Sequence, residues 1–134
     1  VVQNINNETS RRVVLHAVHN EPHDKIPVYM NAADMLLMTS KPKSEGSPNT
    51  VKEALACDLP VISTPVGDVK KLIEGVTHSF VCENEEDFIS KISYVLENGE
   101  RSNGSSKAAS ITWQNTVSQI TTVYEQALNA REGS

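Results

Sequence analysis

A chain of 134 residues, of which 38% are hydrophobic, is long enough for one compact domain with a core of its own. The formal net charge of −5 excludes a basic field for nucleic acid, so a bound phosphate would depend on local hydrogen-bond donors. No run approaches the roughly 18 apolar residues that a membrane helix needs. The first residues also lack the pattern of a leader peptide, so we predict a cytoplasmic protein without a transmembrane segment.

Four short apolar runs are predicted to be buried strands. The runs are β-branched or continuously apolar, and polar residues bound them, as is typical of strands covered on both faces of a sheet. They occupy residues 11–18, 34–40, 59–64 and 78–82.

Five helices are predicted between and after these strands. Pro27 suits the first turn of the first helix, and Gly75 and Gly99 follow the ends of the third and fourth. The helices occupy residues 26–34, 47–57, 67–75, 84–99 and 110–130, and a polar linker at residues 98–107 precedes the last one.

The order of these elements predicts an α/β fold. Strands that alternate with helices and are apolar throughout indicate an open parallel sheet with helices on both faces. Four strands make a small sheet, and the chain opens with a polar segment in place of a first β-α unit. We therefore predict that residues 1–134 form one domain of a larger protein.

The loop and helix between residues 40 and 57 carry the pattern that best fits a binding site. Ligands of an open parallel sheet gather at the carboxyl ends of the strands, and residues 40–48 leave such an end. The unpaired N–H groups and the dipole of the following helix favour an anion such as a diphosphate. Gly46 lets the backbone approach a ligand closely, and Ser47 can cap the helix or donate to a phosphate.

Two glutamates flank this helix start, Glu45 before it and Glu53 about one turn inside it. A carboxylate beside a diphosphate is repulsive unless it reaches hydroxyl donors, so two of them fit a ligand with hydroxyls on either side of its phosphates. A nucleotide-sugar has this layout. The alternative, a charged loop beside a solvated helix glutamate, stays open on the pattern alone.

The segment SEGSPNTVKEALACDLPVISTPVGDV, with IPVYMNAADMLLMTS before it, resembles the donor-binding core of retaining GT-B glycosyltransferases of family GT4. It is especially similar to bacterial enzymes of the teichuronic-acid and capsular polysaccharide type. The shared motif is E-x7-E, and the match runs from about residue 26 to residue 124. The resemblance implies a Rossmann-like domain, the C-terminal half of a GT-B fold, without its first β-α segment and without the N-terminal acceptor domain.

The resemblance also implies roles for particular residues. Glu45 is the implied catalytic residue, in contact with hydroxyls of the donor sugar, and Glu53 is implied to hold the ribose. Backbone groups from Gly46 to Thr50 would contact the sugar and the diphosphate, with Val51 beside them at the helix start. The implied donor-binding residues are Glu45, Gly46, Ser47, Pro48, Asn49, Thr50, Val51 and Glu53. No metal and no cofactor are implied.

Two positions depart from the family pattern. Many relatives have glycine in place of Asp58, but aspartate tolerates the left-handed conformation that a helix end requires. Many also have Gly-Gly with a downstream acid where this chain has Gly67, Asp68 and Lys71. The sequence therefore leaves a ligand role for residues 67–71 open.

The implied function is transfer of a glycosyl group, with retention, from a nucleotide-diphosphate sugar to a glycan or lipid-linked acceptor. The N-terminal domain would bind that acceptor, and this fragment alone is expected to be inactive. The intact hexosyltransferase would be cytoplasmic or peripheral at the inner membrane face. The alternatives are a nucleotide-sugar-binding module without turnover and a nucleotide-sugar epimerase of GT-B architecture.

The remaining candidate ligands are histidines and cysteines. His16 and His19, three residues apart, would point to opposite faces of a strand, and His23 falls in a loop, so we expect no metal site there. Cys57 and Cys82 lie in apolar stretches without metal-ligand spacing. We interpret both as buried thiols outside any disulfide framework.

Overall fold

Three short parallel strands form the sheet of this domain. The computed structural model describes residues 13–41 and 43–132. Within them the strands are β1 (Leu36–Met38), β2 (Val61–Ser63) and β3 (Phe80–Val81), hydrogen-bonded in the order β1-β2-β3. Leu36 lies opposite Val61, and Ile62 lies opposite Phe80. The predicted α/β class and open parallel sheet are confirmed.

Six α-helices accompany the strands in the described residues. They are α1 (Ile26–Ala32), α2 (Asn49–Ala56), α3 (Val69–Leu72), α4 (Glu85–Asn98), α5 (Gly104–Ala108) and α6 (Trp113–Glu132), with a 3₁₀ turn at His23–Lys25 before α1. The five predicted helices correspond to α1, α2, α3, α4 and α6. Helix α5 overlaps the end of the predicted linker and was missed, because its residues show no apolar periodicity.

The strand predicted at residues 11–18 is wrong for the described part of that run. Residues 13–18 have no regular secondary structure, and residues 11 and 12 lie outside the described residues. The side chains of Val14 and Leu15 are 69% and 63% exposed. A β-branched run forms a strand where a neighbouring strand and a packed face stabilise it, and most of this run has no packed face.

The two faces of the sheet carry separate hydrophobic cores, because successive strand residues point to opposite faces. On one face, Val61 packs with Val51 and Leu55 of α2. On the other face, Ile62 packs with residues of α4, including Ile92. Helices therefore cover both faces of the sheet, as predicted, and the larger core holds α2 against the sheet.

Helix α5 packs on the end of α2 because two residues permit a close approach. Asp58 adopts the left-handed conformation predicted for it, with φ of 52°, and its Oδ1 accepts from Ser105 N at 2.7 Å. A Cβ at Gly104 would lie 2.8 Å from Leu55 O and 2.9 Å from Leu55 Cα. A side chain at residue 104 would therefore push α5 away from α2.

Arg101 joins the carboxyl-terminal ends of α1 and α2. Its Nη1 donates to Ala33 O at 2.7 Å, and its Nη2 donates to Cys57 O at 2.7 Å and to Met30 O at 3.3 Å. The guanidinium also faces the negative ends of both helix dipoles. One side chain thus satisfies carbonyl groups that each helix end leaves unpaired.

We expect Arg101→Met to lower the free energy of unfolding by about 2 kcal/mol, because charge-assisted hydrogen bonds are lost from a partly exposed side chain. Urea unfolding followed by circular dichroism measures the change. The control is Lys70→Met, which removes an exposed cation from α3 and should cost less than about 0.5 kcal/mol. Equal losses in the two variants would contradict the role of Arg101 at the helix ends.

Candidate functional site

The loops that follow β1 and β2 meet at the carboxyl ends of the two strands. Thr64 N donates to Met38 O at 2.9 Å, and Thr64 Oγ1 donates to Ser40 O at 2.6 Å. The segment with the predicted site residues begins at this edge. It is the edge at which open parallel sheets bind their ligands.

Glu45 is oriented by a neighbouring hydroxyl group. Ser40 Oγ donates to Glu45 Oε1 at 2.8 Å, and the Glu45 side chain is exposed to solvent. A carboxylate accepts several hydrogen bonds, so this contact directs Glu45 without exhausting its capacity to accept from a ligand. Ser40 was not among the predicted site residues, although it stands two residues after the end of β1.

Helix α2 begins without a side-chain cap among the described residues. Its N-cap residue is Pro48, in an extended conformation, and the Ser47 hydroxyl donates to Asp68 Oδ2 at 2.9 Å. The prediction that Ser47 can cap the helix is therefore wrong in this structure. The first-turn N–H groups and the dipole of α2 favour an anion at this end.

Two of the predicted site residues, Pro48 and Val51, point into the core. Both side chains are fully buried. They anchor the start of α2, whereas the neighbouring residues Asn49 and Thr50 are exposed. Because proline has no N–H, Pro48 also offers no backbone donor.

The turn after β2 closes on the loop that carries Glu45. Asp68 N donates to Gly46 O at 2.9 Å. Gly67 has φ of 52°, and a Cβ there would overlap Gly46 O and lie 2.7 Å from Glu45 O. The Gly67-Asp68 turn therefore lies in direct contact with the Glu45-Gly46 peptide, a contact that the sequence did not predict.

Glu53 lies on the side of α2 that faces α1. Its Oε1 is 3.8 Å from His23 Nδ1, and its side chain is 33% exposed. With His23, Pro27 and Met30 it lines a shallow, mostly apolar cavity of about 120 Å³. The structure thus places Glu45 in the carboxyl-end loop and Glu53 beside the start of α1.

A second cavity, of about 180 Å³, is lined partly by Asp34, Gly99 and Arg101. Asp34 precedes β1, and Gly99 and Arg101 follow α4, so the cavity lies at the amino ends of the strands. It is separate from the loops that carry the predicted site residues.

The cysteines differ in burial, and neither forms a disulfide. Cys82 is fully buried, as predicted, but the same prediction is wrong for Cys57, which is only half-buried. Burial raises the pKa of the Cys82 thiol, and the charge of Asp87 raises it further, although Lys91 acts in the opposite direction. A thiol that stays protonated at neutral pH is a poor nucleophile, so Cys82 is a core residue.

The described residues contain neither a metal-ligand cluster nor a helix that could span a membrane. Residues 13–41 and 43–132 contain no group of three or more His, Cys, Asp or Glu side chains arranged to hold a metal ion. In the same part of the chain, no helix has the length and hydropathy to cross a membrane.

An open parallel sheet with an uncapped helix start at its carboxyl edge is an arrangement common in the class of α/β proteins that bind anionic ligands. Comparison with known families narrows this class. The family described as glycosyl transferases group 1 matches residues 2–98, and the chain belongs to that family. A search of curated proteins and of solved structures finds no match.

The family match covers all three strands, helices α1 to α4 and every predicted donor-binding residue. Membership places the chain among the glycosyltransferases. The sheet and its flanking helices are consistent with one Rossmann-like half of a GT-B fold.

Proposed function

We propose that this domain is the donor-binding half of a retaining, GT4-type hexosyltransferase, and that an N-terminal domain completes the enzyme and binds the acceptor. The donor is a nucleotide-diphosphate sugar, and the acceptor is a glycan or lipid-linked saccharide of the cell envelope. The observation that carries the proposal is the uncapped start of α2, which follows the Ser40-oriented carboxylate of Glu45 within a glycosyltransferase sequence.

The start of α2 suits the diphosphate of such a donor. Its N–H groups and its dipole stabilise the negative charge that grows on the diphosphate as the bond to the anomeric carbon breaks. The acceptor oxygen then bonds to the same face of the sugar, and its proton passes to the leaving diphosphate. The N–H groups and the dipole of α2 thus stabilise the charge of the leaving diphosphate through the polypeptide itself.

The two glutamates suit the hydroxyl groups at the two ends of the donor. Glu45, exposed beside the start of α2, accepts from hydroxyls of the transferred sugar. Glu53, in the second turn, accepts from the ribose diol, and the apolar cavity beside it provides room on the nucleoside side. Hydroxyl donors at both carboxylates offset the repulsion between the carboxylates and the diphosphate.

For the full-length protein, we expect Glu53→Ala to weaken the binding of the preferred nucleoside diphosphate by about 10-fold to 100-fold, because hydrogen bonds between a charged acceptor and two hydroxyls are lost. Isothermal titration calorimetry with UDP, GDP and ADP measures the affinities. Glu74→Ala, at an exposed site after α3, is the matched control and should bind like the wild type.

A ligand without the hydroxyls tests the ribose assignment directly. The 2′,3′-dideoxy form of the same nucleoside diphosphate should bind to the wild type and to Glu53→Ala with equal affinity. If Glu53→Ala leaves the affinity for the ordinary nucleotide unchanged, the ribose assignment is wrong.

Product analysis separates the proposed transferase from the two alternatives. The full-length protein is incubated with each nucleotide-sugar, with and without an acceptor saccharide fraction. Release of nucleoside diphosphate that depends on the acceptor is the expected result. Formation of an isomeric sugar without acceptor would instead identify an epimerase, and binding without turnover would identify a binding module.

A further inference from the structure

Asp68 lies outside the implied donor-binding residues but contacts two of them. Its carboxylate Oδ2 accepts from Ser47 Oγ at 2.9 Å, and its N–H donates to Gly46 O at 2.9 Å. Residues 47 and 68 are 21 positions apart, so the contact joins the loops that follow β1 and β2. The backbone and the side chain of Asp68 thus hold adjacent residues of the loop with Glu45.

The contact determines what the Ser47 hydroxyl can offer to a ligand. A hydroxyl has one proton and two acceptor lone pairs, and the proton of Ser47 is committed to Asp68 Oδ2. In this arrangement Ser47 Oγ cannot donate to a phosphate oxygen. It presents its lone pairs, which accept from a hydroxyl donor.

The charge of Asp68 favours the same kind of ligand group. A carboxylate behind the Ser47 hydroxyl repels a phosphate and stabilises the partial positive charge of a hydroxyl hydrogen that Ser47 accepts. Chains of hydrogen bonds that run in one direction strengthen each other. The Ser47-Asp68 pair is therefore suited to a sugar hydroxyl and unsuited to the diphosphate.

The second oxygen of Asp68 indicates that stability alone does not explain this residue. Oδ1 is buried, and it has no hydrogen-bond partner among the described residues. A buried acceptor without a hydrogen-bond partner destabilises a fold, and such unfavourable features concentrate at functional sites.

We propose that Asp68 is a positioning residue for donor selection: it locks Ser47 Oγ as a hydrogen-bond acceptor for a hydroxyl of the transferred sugar. The inference rests on the proposed function and deepens it, because it assigns Ser47 to the sugar and leaves the diphosphate to the start of α2.

The test compares two ligands on the full-length protein. The probes are the nucleotide-sugar that the wild type binds most tightly and the matching nucleoside diphosphate, both measured by isothermal titration calorimetry. We expect Asp68→Ala and Ser47→Ala each to lower the affinity for the nucleotide-sugar by about 10-fold. The affinity of each variant for the nucleoside diphosphate should stay within about 2-fold of the wild-type value. Because the two residues act as a unit, the double variant should lose little more affinity for the nucleotide-sugar than either single variant does.

Asp68→Asn is the second variant, because it keeps the size of the side chain and an oxygen that accepts from Ser47. It should retain the affinity for the nucleotide-sugar better than Asp68→Ala does. Thermal melting of each variant without ligand checks that the fold is intact. If Asp68 had a purely structural role, its replacement would lower the affinity for both ligands together.

The outcomes separate the inference from the proposed function. If the wild type binds no nucleotide-sugar, the proposed function fails, and the inference fails with it. If the wild type binds the nucleotide-sugar, but Asp68→Ala lowers the affinity for both ligands equally or for neither, the proposed function stands and the inference is overturned.

Discussion

Replacement of Gly67 by alanine is expected to lower the free energy of unfolding by about 3 kcal/mol or more and to remove nucleotide-sugar binding. A Cβ at this position would overlap Gly46 O and lie 2.7 Å from Glu45 O, and these are backbone atoms that no side-chain rotation can move. The φ of 52° adds strain for any residue with a Cβ. The clash would displace the loop that presents Glu45, so binding and stability fall together.

Two other glycines are the controls for Gly67→Ala. Gly75 has φ of 76°, with nothing among the described residues within 4 Å of its Cβ position, so Gly75→Ala carries the strain of a positive φ without the clash. Gly75→Ala should lower the free energy of unfolding by about 1–2 kcal/mol and leave nucleotide-sugar binding unchanged. Gly46→Ala, also in open space, should leave stability unchanged. Thermal melting and calorimetry give both quantities, and equal effects of Gly67→Ala and Gly75→Ala would show that the contact with the loop is unimportant.

Glu45→Gln is expected to lower kcat for sugar transfer by about 100-fold or more while the free energy of unfolding stays within about 0.5 kcal/mol of wild type. Glutamine has the shape of glutamate and keeps an oxygen that accepts from Ser40. It lacks the negative charge that stabilises the positive charge developing on the sugar ring. The loss should therefore fall on kcat rather than on stability.

The rate of acceptor-dependent release of nucleoside diphosphate by the full-length protein measures this effect. Ser40→Ala is the variant for comparison, because it removes the group that orients Glu45 and keeps the carboxylate. It should lower kcat by about 10-fold. Retention of more than half of the wild-type kcat by Glu45→Gln would exclude Glu45 from the reaction.

Local sequence patterns predicted most of the fold, because each confirmed element combines an apolar pattern with a boundary signal. Gly99, at the end of α4, has φ of 64°, the left-handed conformation typical of a residue that follows a helix. The error at residues 13–18 and the missed helix α5 have the same cause. Whether such a segment packs against the rest of the domain depends on distant parts of the chain, such as the approach of Gly104 to Leu55, which local composition does not report.

The same distinction applies to the candidate site. Its predicted residues all lie in one short segment, between residue 45 and residue 53, so a sequence motif identifies them together. Ser40 and Asp68 act on this segment through hydrogen bonds that the fold creates, and His23 approaches Glu53 only because α1 packs beside α2. Spacing along the chain does not predict such contacts, since each depends on how two loops or helices meet in three dimensions.

Arg101 also has a mechanical consequence. Helix α2 carries the proposed diphosphate end at its start, and Arg101 fastens the opposite end of the same helix to α1. A displacement of α2 relative to α1 would break these bonds, so the two helices are expected to move together as a rigid pair. The distance between the first turn of α2 and the cavity beside Glu53 is therefore preserved during any larger movement of the domain. A donor that bridges the two places would meet the same spacing before and after that movement.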